Sequence, residues 1–200
     1  MKSFKIGITG GIGVGKTTVC NIIEAMGYPV FYSDDVAKRL QNENIELKTE
    51  IIHLFGEKAY LNNQLNRPYI AECVFSNPTL LQQLNEIIHP KVRAAFEEFC
   101  KKYNNSEFIF NEAAILFESG GNKKMDANIL VIADEEIRIQ RAMKRDHVTK
   151  EVVLKRIQHQ WPQEKLMDLS DFHIKNDEKS PLIPQIVDLF EKLKNHFISS

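Results

Sequence analysis

Apolar residues along the chain follow two rhythms. Short β-rich runs stand near its start and again past its midpoint, while the middle third carries apolar positions at three- and four-residue spacing. The run from Phe4 to Thr9 ends in glycines, Thr17 to Met26 reads as a helix stopped by Gly27, and "YPVFYSDD" supplies a second short strand ending in polar residues. Strand, helix and strand within about 30 residues form a βαβ unit and predict a parallel sheet. From about Val36 to Tyr103, "IELKTEIIHLF", "YIAECVF" and "LLQQLNEIIHPKVRAAFEEFCKKY" predict helices. "EFIFNEA" and "ANILVIA" then read as strands, "DEEIRIQRAMKRD" and "KEVVLKRIQHQ" as helices, "DFHIKND" as a last short strand and "PLIPQIVDLFEKLKNHF" as a closing helix. The sum is an α/β protein with a parallel five-stranded sheet and a helical insertion after its second strand.

Composition narrows the function classes. At 200 residues the chain is expected to form one domain that buries about 70% of its unfolded surface. Its 26 basic and 27 acidic residues give no broad cationic field, so a nucleic-acid partner is not expected and any anion site must be local. The cysteines, Cys20, Cys73 and Cys100, are scattered and odd in number, which predicts a reducing compartment rather than a disulfide framework. No signal-peptide pattern and no apolar run near the ~20 residues of a membrane span stand in the sequence. The expectation is a soluble, cytoplasmic protein with no membrane partner, and oligomeric state stays open.

Between the first strand and the first helix lies "GITGGIGVGKTTV". Gly10, Gly15, Lys16 and Thr17 satisfy G-x-x-x-x-G-K-[ST] in the strand-to-helix context a phosphate loop requires. Gly10, Gly11, Ile12, Gly13, Val14, Gly15, Lys16, Thr17 and Thr18 form the candidate phosphate cradle. Glycines let the backbone curl so that successive N–H groups and the helix N-terminus point at phosphate oxygens. Lys16 would reach the β and γ phosphates, and the Thr17 hydroxyl would ligate Mg²⁺.

The acceptor of the phosphoryl group is decided by what else is present. No guanine-reading N-K-x-D or switch D-x-x-G occurs, since "NKKMD" is one residue too long, which argues against a GTPase. Asp134 after "ILVIA" could be a metal-binding strand-end aspartate or the N-cap of the next helix. A small-molecule kinase needs an acceptor carboxylate and mobile cations. Asp34, just past the second strand, could orient an acceptor hydroxyl and take its proton, or cap the helix that begins at Asp35. Arg138, Arg141 and Arg145 share a helical face and could clamp phosphates as part of a lid, or form a solvated basic face. Glu112 could hold a water on Mg²⁺, Glu118 could be a helix-surface charge, and His89 could touch substrate or stand at a helix break before Pro90.

The order "GITGGIGVGKTTV", "PVFYSDDVAKRL", "LNEIIHPKV", "AAILFES", "RAMKRDHVTKEVVLKRIQHQ", "SDFHIKND" resembles bacterial dephospho-coenzyme A kinases nearly from end to end. The resemblance implies a three-layer P-loop fold like that of the nucleoside monophosphate kinases. Its core would cover about 1–35, 106–145 and 166–200, with a helical acceptor-binding insertion at about 36–105 and a lid at about 146–165. It further implies transfer of the γ-phosphoryl group of ATP, with Mg²⁺, to the ribose 3′-hydroxyl of dephospho-coenzyme A; a kinase for another small acceptor, such as a nucleoside monophosphate, is the alternative. By position, Asp34 matches the family's catalytic carboxylate, Gly10 to Thr18 its ATP loop, Arg141 and Arg145 its lid arginines, and Asn176 an asparagine near the adenine ring. The chain departs from the family pattern at Tyr32, where an aspartate is usual, at Ala114 in place of proline, and at Glu178 in place of glycine.

Overall fold

The structure is a computed structural model that describes residues 3–75 and 77–197. The chain opens with β1 (Phe4–Thr9), whose Ile6 and Ile8 are fully buried, and passes through the glycine loop into α1 (Lys16–Ala25). Gly27, at φ 92, ends that helix: its N–H bonds the Glu24 carbonyl at 2.9 Å, in a backbone conformation that suits a residue without Cβ. β2 (Val30–Tyr32) runs straight into α2 (Ser33–Glu43). The helix therefore starts earlier than the sequence suggests, with Tyr32 as its cap residue. Asp34 and Asp35 lie inside the first turn, where the helix dipole favours negative charge.

Two compact units result, Met1–Phe31 with Tyr103–Ser200, and Tyr32–Lys102. The second is built from α2, α3 (Ile45–Phe55), a small hairpin of β3 (Tyr60–Leu61) and β4 (Gln64–Leu65), α4 (Arg67–Phe75) and α5 (Pro78–Lys102). The Asn44 side chain caps α3 by accepting the Leu47 N–H at 2.8 Å. The hairpin corrects the all-helical expectation for this stretch. Asn62 and Asn63, at φ 48 and 63, both take the left-handed conformation that a tight two-residue hairpin turn needs.

α5 corrects a second expectation, because the helix does not break at His89. Pro90 removes one backbone donor, yet Leu84, Ile88, Val92, Phe96 and Cys100 recur every four residues across it, and that continuous apolar stripe holds the helix together. Leu84 and Ile88 pack with Leu47, Ile51, Phe55, Ala59 and Ile70 in the core of this unit.

The first unit continues with β5 (Phe108–Glu112), β6 (Ala127–Ile132), α6 (Glu135–Asp146), α7 (Lys150–Gln158), α8 (Gln163–Leu169), β7 (Phe172–Lys175) and α9 (Leu182–Phe197). Strand order is β2-β5-β1-β6-β7, and β1 pairs in parallel with β5 and β6, as β6 does with β7. Ile6, Ile8, Phe108 and Phe110 share one face, where Tyr28 stacks on Phe190 of α9 at 4.4 Å between ring centroids. On the other face, Leu130 packs with Phe117 and Leu166. Gly7 lies level with Asn111 and Asn128 there, and a Cβ on it would collide with Leu116 and the Asn128 amide. The segments that follow β1, β5, β6 and β7 all leave from the carboxyl edge of this sheet, which is where open parallel sheets bind ligands.

Candidate active site

The glycine loop leaves β1 and enters α1 through Gly15, which caps the helix at φ 85, ψ 35. Left-handed backbone at Gly13 (φ 79) and Gly15 is what curls the chain, as in the backbone nests that bind anions. Lys16 and Thr17 occupy the first turn of α1, so their N–H groups have no intrahelical partner and lie at the positive end of the helix dipole. Thr17 and Thr18 are exposed. The backbone thus presents donors where phosphate oxygens would sit.

Four side chains from distant parts of the sequence hold this curl. Gln160 Oε1 accepts the Ile12 N–H at 2.8 Å, and Arg138 Nε donates to the Ile12 carbonyl at 3.1 Å. Asn176 Nδ2 donates to the Val14 carbonyl at 2.8 Å, and Arg141 Nη1 donates to the same oxygen at 3.5 Å. Steric fit adds to these bonds. A Cβ at Gly11 would meet the Arg138 guanidinium, one at Gly13 the Arg138 carbonyl, and one at Gly15 the Asn176 amide. Arg138 is only 7% exposed, and burial pulls its guanidinium downward from the ordinary arginine range while Glu135 and Glu164 oppose that shift.

Lys16 Nζ donates to the Gly10 carbonyl at 3.0 Å and stands 3.6 Å from a Glu112 carboxylate oxygen. Glu112 is the last residue of β5, level with Ile8, and is buried. Beneath this pair lies Cys20, whose thiol is pushed far up by burial and by the Glu112 charge and stays protonated. Asp134 takes the N-cap position of α6, where its carbonyl accepts the Arg138 N–H at 3.0 Å, but its carboxylate makes no capping bond.

The structure sorts the remaining candidates. Asp34 is half-buried at the second position of α2. Arg141 is brought to the loop, but its guanidinium lies on protein groups: the Val14 carbonyl, the Asn176 carbonyl at 3.0 Å and the Glu178 carboxylate at 3.1 Å. Arg145, in the last turn of α6, forks onto Asp146 at 2.7 and 3.1 Å, and Arg156 of α7 reaches the same carboxylate at 2.6 Å. These two arginines hold the Asp146 carboxyl below its ordinary range. Asn176 follows β7 and lines, with Glu178, Lys179 and Pro184, an open cavity of about 710 Å³.

Glu118 is not on a helix surface. It sits in a turn, and its carboxylate accepts the Trp161 N–H at 3.1 Å. His89 is half-buried on α5, and burial together with Arg93 holds its ring below the ordinary pKa of 6.5, so it is neutral at pH 7. The sequence reading missed Gln160 and Asp146, and it noted Glu178 only as a departure from the family's glycine. Gln160 is 148 residues from the amide it holds, a pairing with no local signal.

A glycine-curled anion cradle on the first strand of a sheet in this order belongs to the P-loop kinases, and solved structures of like shape agree. A Thermus thermophilus crystal structure matches with a TM-score of 0.85 at 29% identity, covering 98% of this chain and 99% of that one. A dephospho-CoA kinase from Campylobacter jejuni matches at 0.65 and 26%, covering 96% of each. Residues 4–181 match the profile of the dephospho-CoA kinase family. A dephospho-CoA kinase of Bacteroides fragilis is 37% identical over 99% of this chain and 98% of its own length. One from Salinibacter ruber is 42% identical over 86% and 88%. The chain belongs to the dephospho-CoA kinase family.

Proposed function

We propose that this protein transfers the γ-phosphoryl group of ATP to the ribose 3′-hydroxyl of dephospho-coenzyme A, giving coenzyme A and ADP in the last step of coenzyme A synthesis. The observation that carries the reading is the glycine cradle capped by α1, with Lys16 held at its mouth by Gly10 and Glu112.

Phosphoryl transfer passes through a loose transition state, so positioning and charge neutralisation supply most of the rate. In the proposed reaction the N–H groups of Gly13 and of Gly15 to Thr17 hold the β and γ phosphates, and Lys16 exchanges the Gly10 carbonyl for their oxygens. Asp34 accepts the proton of the 3′-hydroxyl as its oxygen bonds to the γ phosphorus and the bond to the ADP oxygen breaks. Arg145, leaving Asp146, would meet the charge that builds on the transferring group, with Arg156 beside it. Arg141 and Asn176 hold the loop, and Asn176 lines the proposed seat of the base, the cavity between Asn176 and Pro184.

Among the described residues no three His, Cys, Asp or Glu side chains gather as a metal cage. The Thr17 hydroxyl, exposed in the first turn of α1, is a hard oxygen donor of the kind Mg²⁺ takes, an ion bound through few protein oxygens and substrate phosphates. The Thr17 hydroxyl would hold it, and when bound it supplies neutralisation of phosphate charge. We assign acceptor binding to the helical insertion at about 36–105, most of which falls in the Tyr32–Lys102 unit, and a mobile lid to about 146–165 of a single kinase domain. The protein is proposed to work in the cytoplasm; among the described residues no helix is long and apolar enough to cross a membrane.

The test is ADP release with dephospho-coenzyme A, AMP, CMP and shikimate compared in parallel, with the product checked by mass and by a 3′-nucleotidase. Turnover is expected with dephospho-coenzyme A alone. Faster turnover with any other acceptor overturns the assignment.

A further inference from the structure

We propose that Glu178 is a positioning residue for ATP that acts through Arg141; this rests on the nucleotide seat assigned above. Glu178 adopts φ 66, a left-handed conformation uncommon for a residue with a side chain. Its Oε1 accepts a hydrogen bond from Arg141 Nε at 3.2 Å and forms an ion pair with Nη2 of the same guanidinium at 3.1 Å. The other side of that guanidinium donates to the Asn176 carbonyl at 3.0 Å and the Val14 carbonyl at 3.5 Å. Asn176 in turn grips Val14 at 2.8 Å. One planar cation therefore ties the wall of the base cavity to the phosphate loop, and Glu178 fixes its orientation.

Stability does not account for this arrangement. The Glu178 side chain is 63% exposed, and a surface ion pair contributes little. Set against it is the backbone cost at a position that glycine would fill without strain. What the carboxylate does supply is direction, because a charge-assisted bond from Nε, with Nη2 beside the same oxygen, fixes the rotation of a planar guanidinium. Without Glu178, Arg141 keeps neutral amide acceptors, the Asn176 and Val14 carbonyls on Nη1 and Asn176 Oδ1 at 3.5 Å from Nη2, and its Nε loses the carboxylate that orients it.

Charge alone gives the opposite expectation. A carboxylate near the seat of an anionic nucleotide repels it, so if Glu178 were a bystander its removal would tighten ATP binding. A positioning role weakens binding on removal.

The experiment is initial-rate kinetics of the full chain, with ATP and dephospho-coenzyme A varied separately, for Glu178→Gln, Glu178→Gly, Arg141→Ala and the Arg141→Ala/Glu178→Gln double variant. Both Glu178 variants are expected to raise KM for ATP about fivefold, with kcat falling by a smaller factor and KM for dephospho-coenzyme A moving less than twofold. Glu178→Gly should melt no lower than the parent, because glycine accepts φ 66, which separates the effect from misfolding. In the Arg141→Ala background Glu178→Gln should add nothing. A lowered or unchanged KM for ATP, or an equal rise without Arg141, overturns the inference. If Arg141→Ala itself leaves KM for ATP unchanged, the nucleotide seat is wrong at this end and the inference falls with it, while Lys16→Ala tests the phosphate end independently.

Discussion

The phosphate loop and the Tyr32–Lys102 unit are held by different kinds of force. Gln160, Arg138, Arg141 and Asn176 reach the loop from 126 to 162 residues away and bond to its backbone at Ile12 and Val14. The helical unit instead relies on apolar stripes, with Leu47, Ile51 and Leu84 packed among their neighbours. A hydrogen bond adds only about 1 kcal/mol net but fixes direction. Burial of an apolar side chain is worth about 1.5–3 kcal/mol and tolerates small shifts. Where the product is a backbone shape, direction matters more than strength. Damage to the loop should therefore appear in turnover, and damage to the stripes in stability.

The sharpest break in that contrast is Lys16→Ala. Loss of a cation aimed at the transferring phosphate should lower turnover about 10³-fold or more, a larger effect than the stability lost when the buried Glu112 carboxylate loses the Lys16 ammonium. Retained turnover would remove the cradle from the mechanism. Asp34→Asn comes next. Turnover should fall at least about 10²-fold with ATP binding kept, as expected for a general base, and undiminished turnover would reduce Asp34 to a first-turn helix charge.

Two substitutions of middle size test the contrast directly. Leu47→Ala empties a fully buried position in the helical unit and should cost about 2–5 kcal/mol of stability, with kcat of the folded fraction within about threefold of the parent. Arg138→Met leaves the Ile12 carbonyl without its donor. It should cost less stability, about 1–3 kcal/mol, yet lower turnover about tenfold or more. If the two variants moved turnover and melting in the same proportion, the division between directional and apolar restraint would not hold.

The sequence made the strands and the loop legible because each rests on a local signal: alternation or a short apolar run for β1, β5 and β6, and fixed glycine spacing for the cradle. The hairpin at Tyr60–Leu65 was also within reach, since two asparagines in a row between short apolar segments suit a left-handed turn. The unbroken α5 shows a local signal overruled by packing, as the four-residue stripe outweighs one lost backbone bond at Pro90. Gln160 was not legible, and Glu178 showed only as a departure from the family's glycine, with no sign of its role. Their roles depend on contacts set by the whole sheet, and on a left-handed backbone at a residue whose side chain does not announce it.

The smallest effect concerns the loop that carries Glu178, and pH reads it. Asp177 is buried, and its carboxylate accepts the Ser180 N–H at 2.7 Å, the Lys175 ammonium at 3.0 Å and the Lys179 N–H at 3.1 Å. These donors, led by the Ser180 amide, hold its pKa far below the ordinary 3.8. A depressed folded-state pKa means the ionised group stabilises the fold fully above the unfolded value, and that contribution fades as pH falls from there toward the folded one. Asp177→Asn should therefore lower the melting temperature at pH 7 by on the order of a few degrees. Below about pH 4 the gap from the parent should narrow as the parent loses its own charge stabilisation. Exposed pairs of the helical unit such as Arg39–Glu43 rest on weak surface attraction, so Glu43→Gln should change melting little at any pH. A gap at Asp177 that stayed constant down to pH 2 would show that its shape rather than its charge holds the loop.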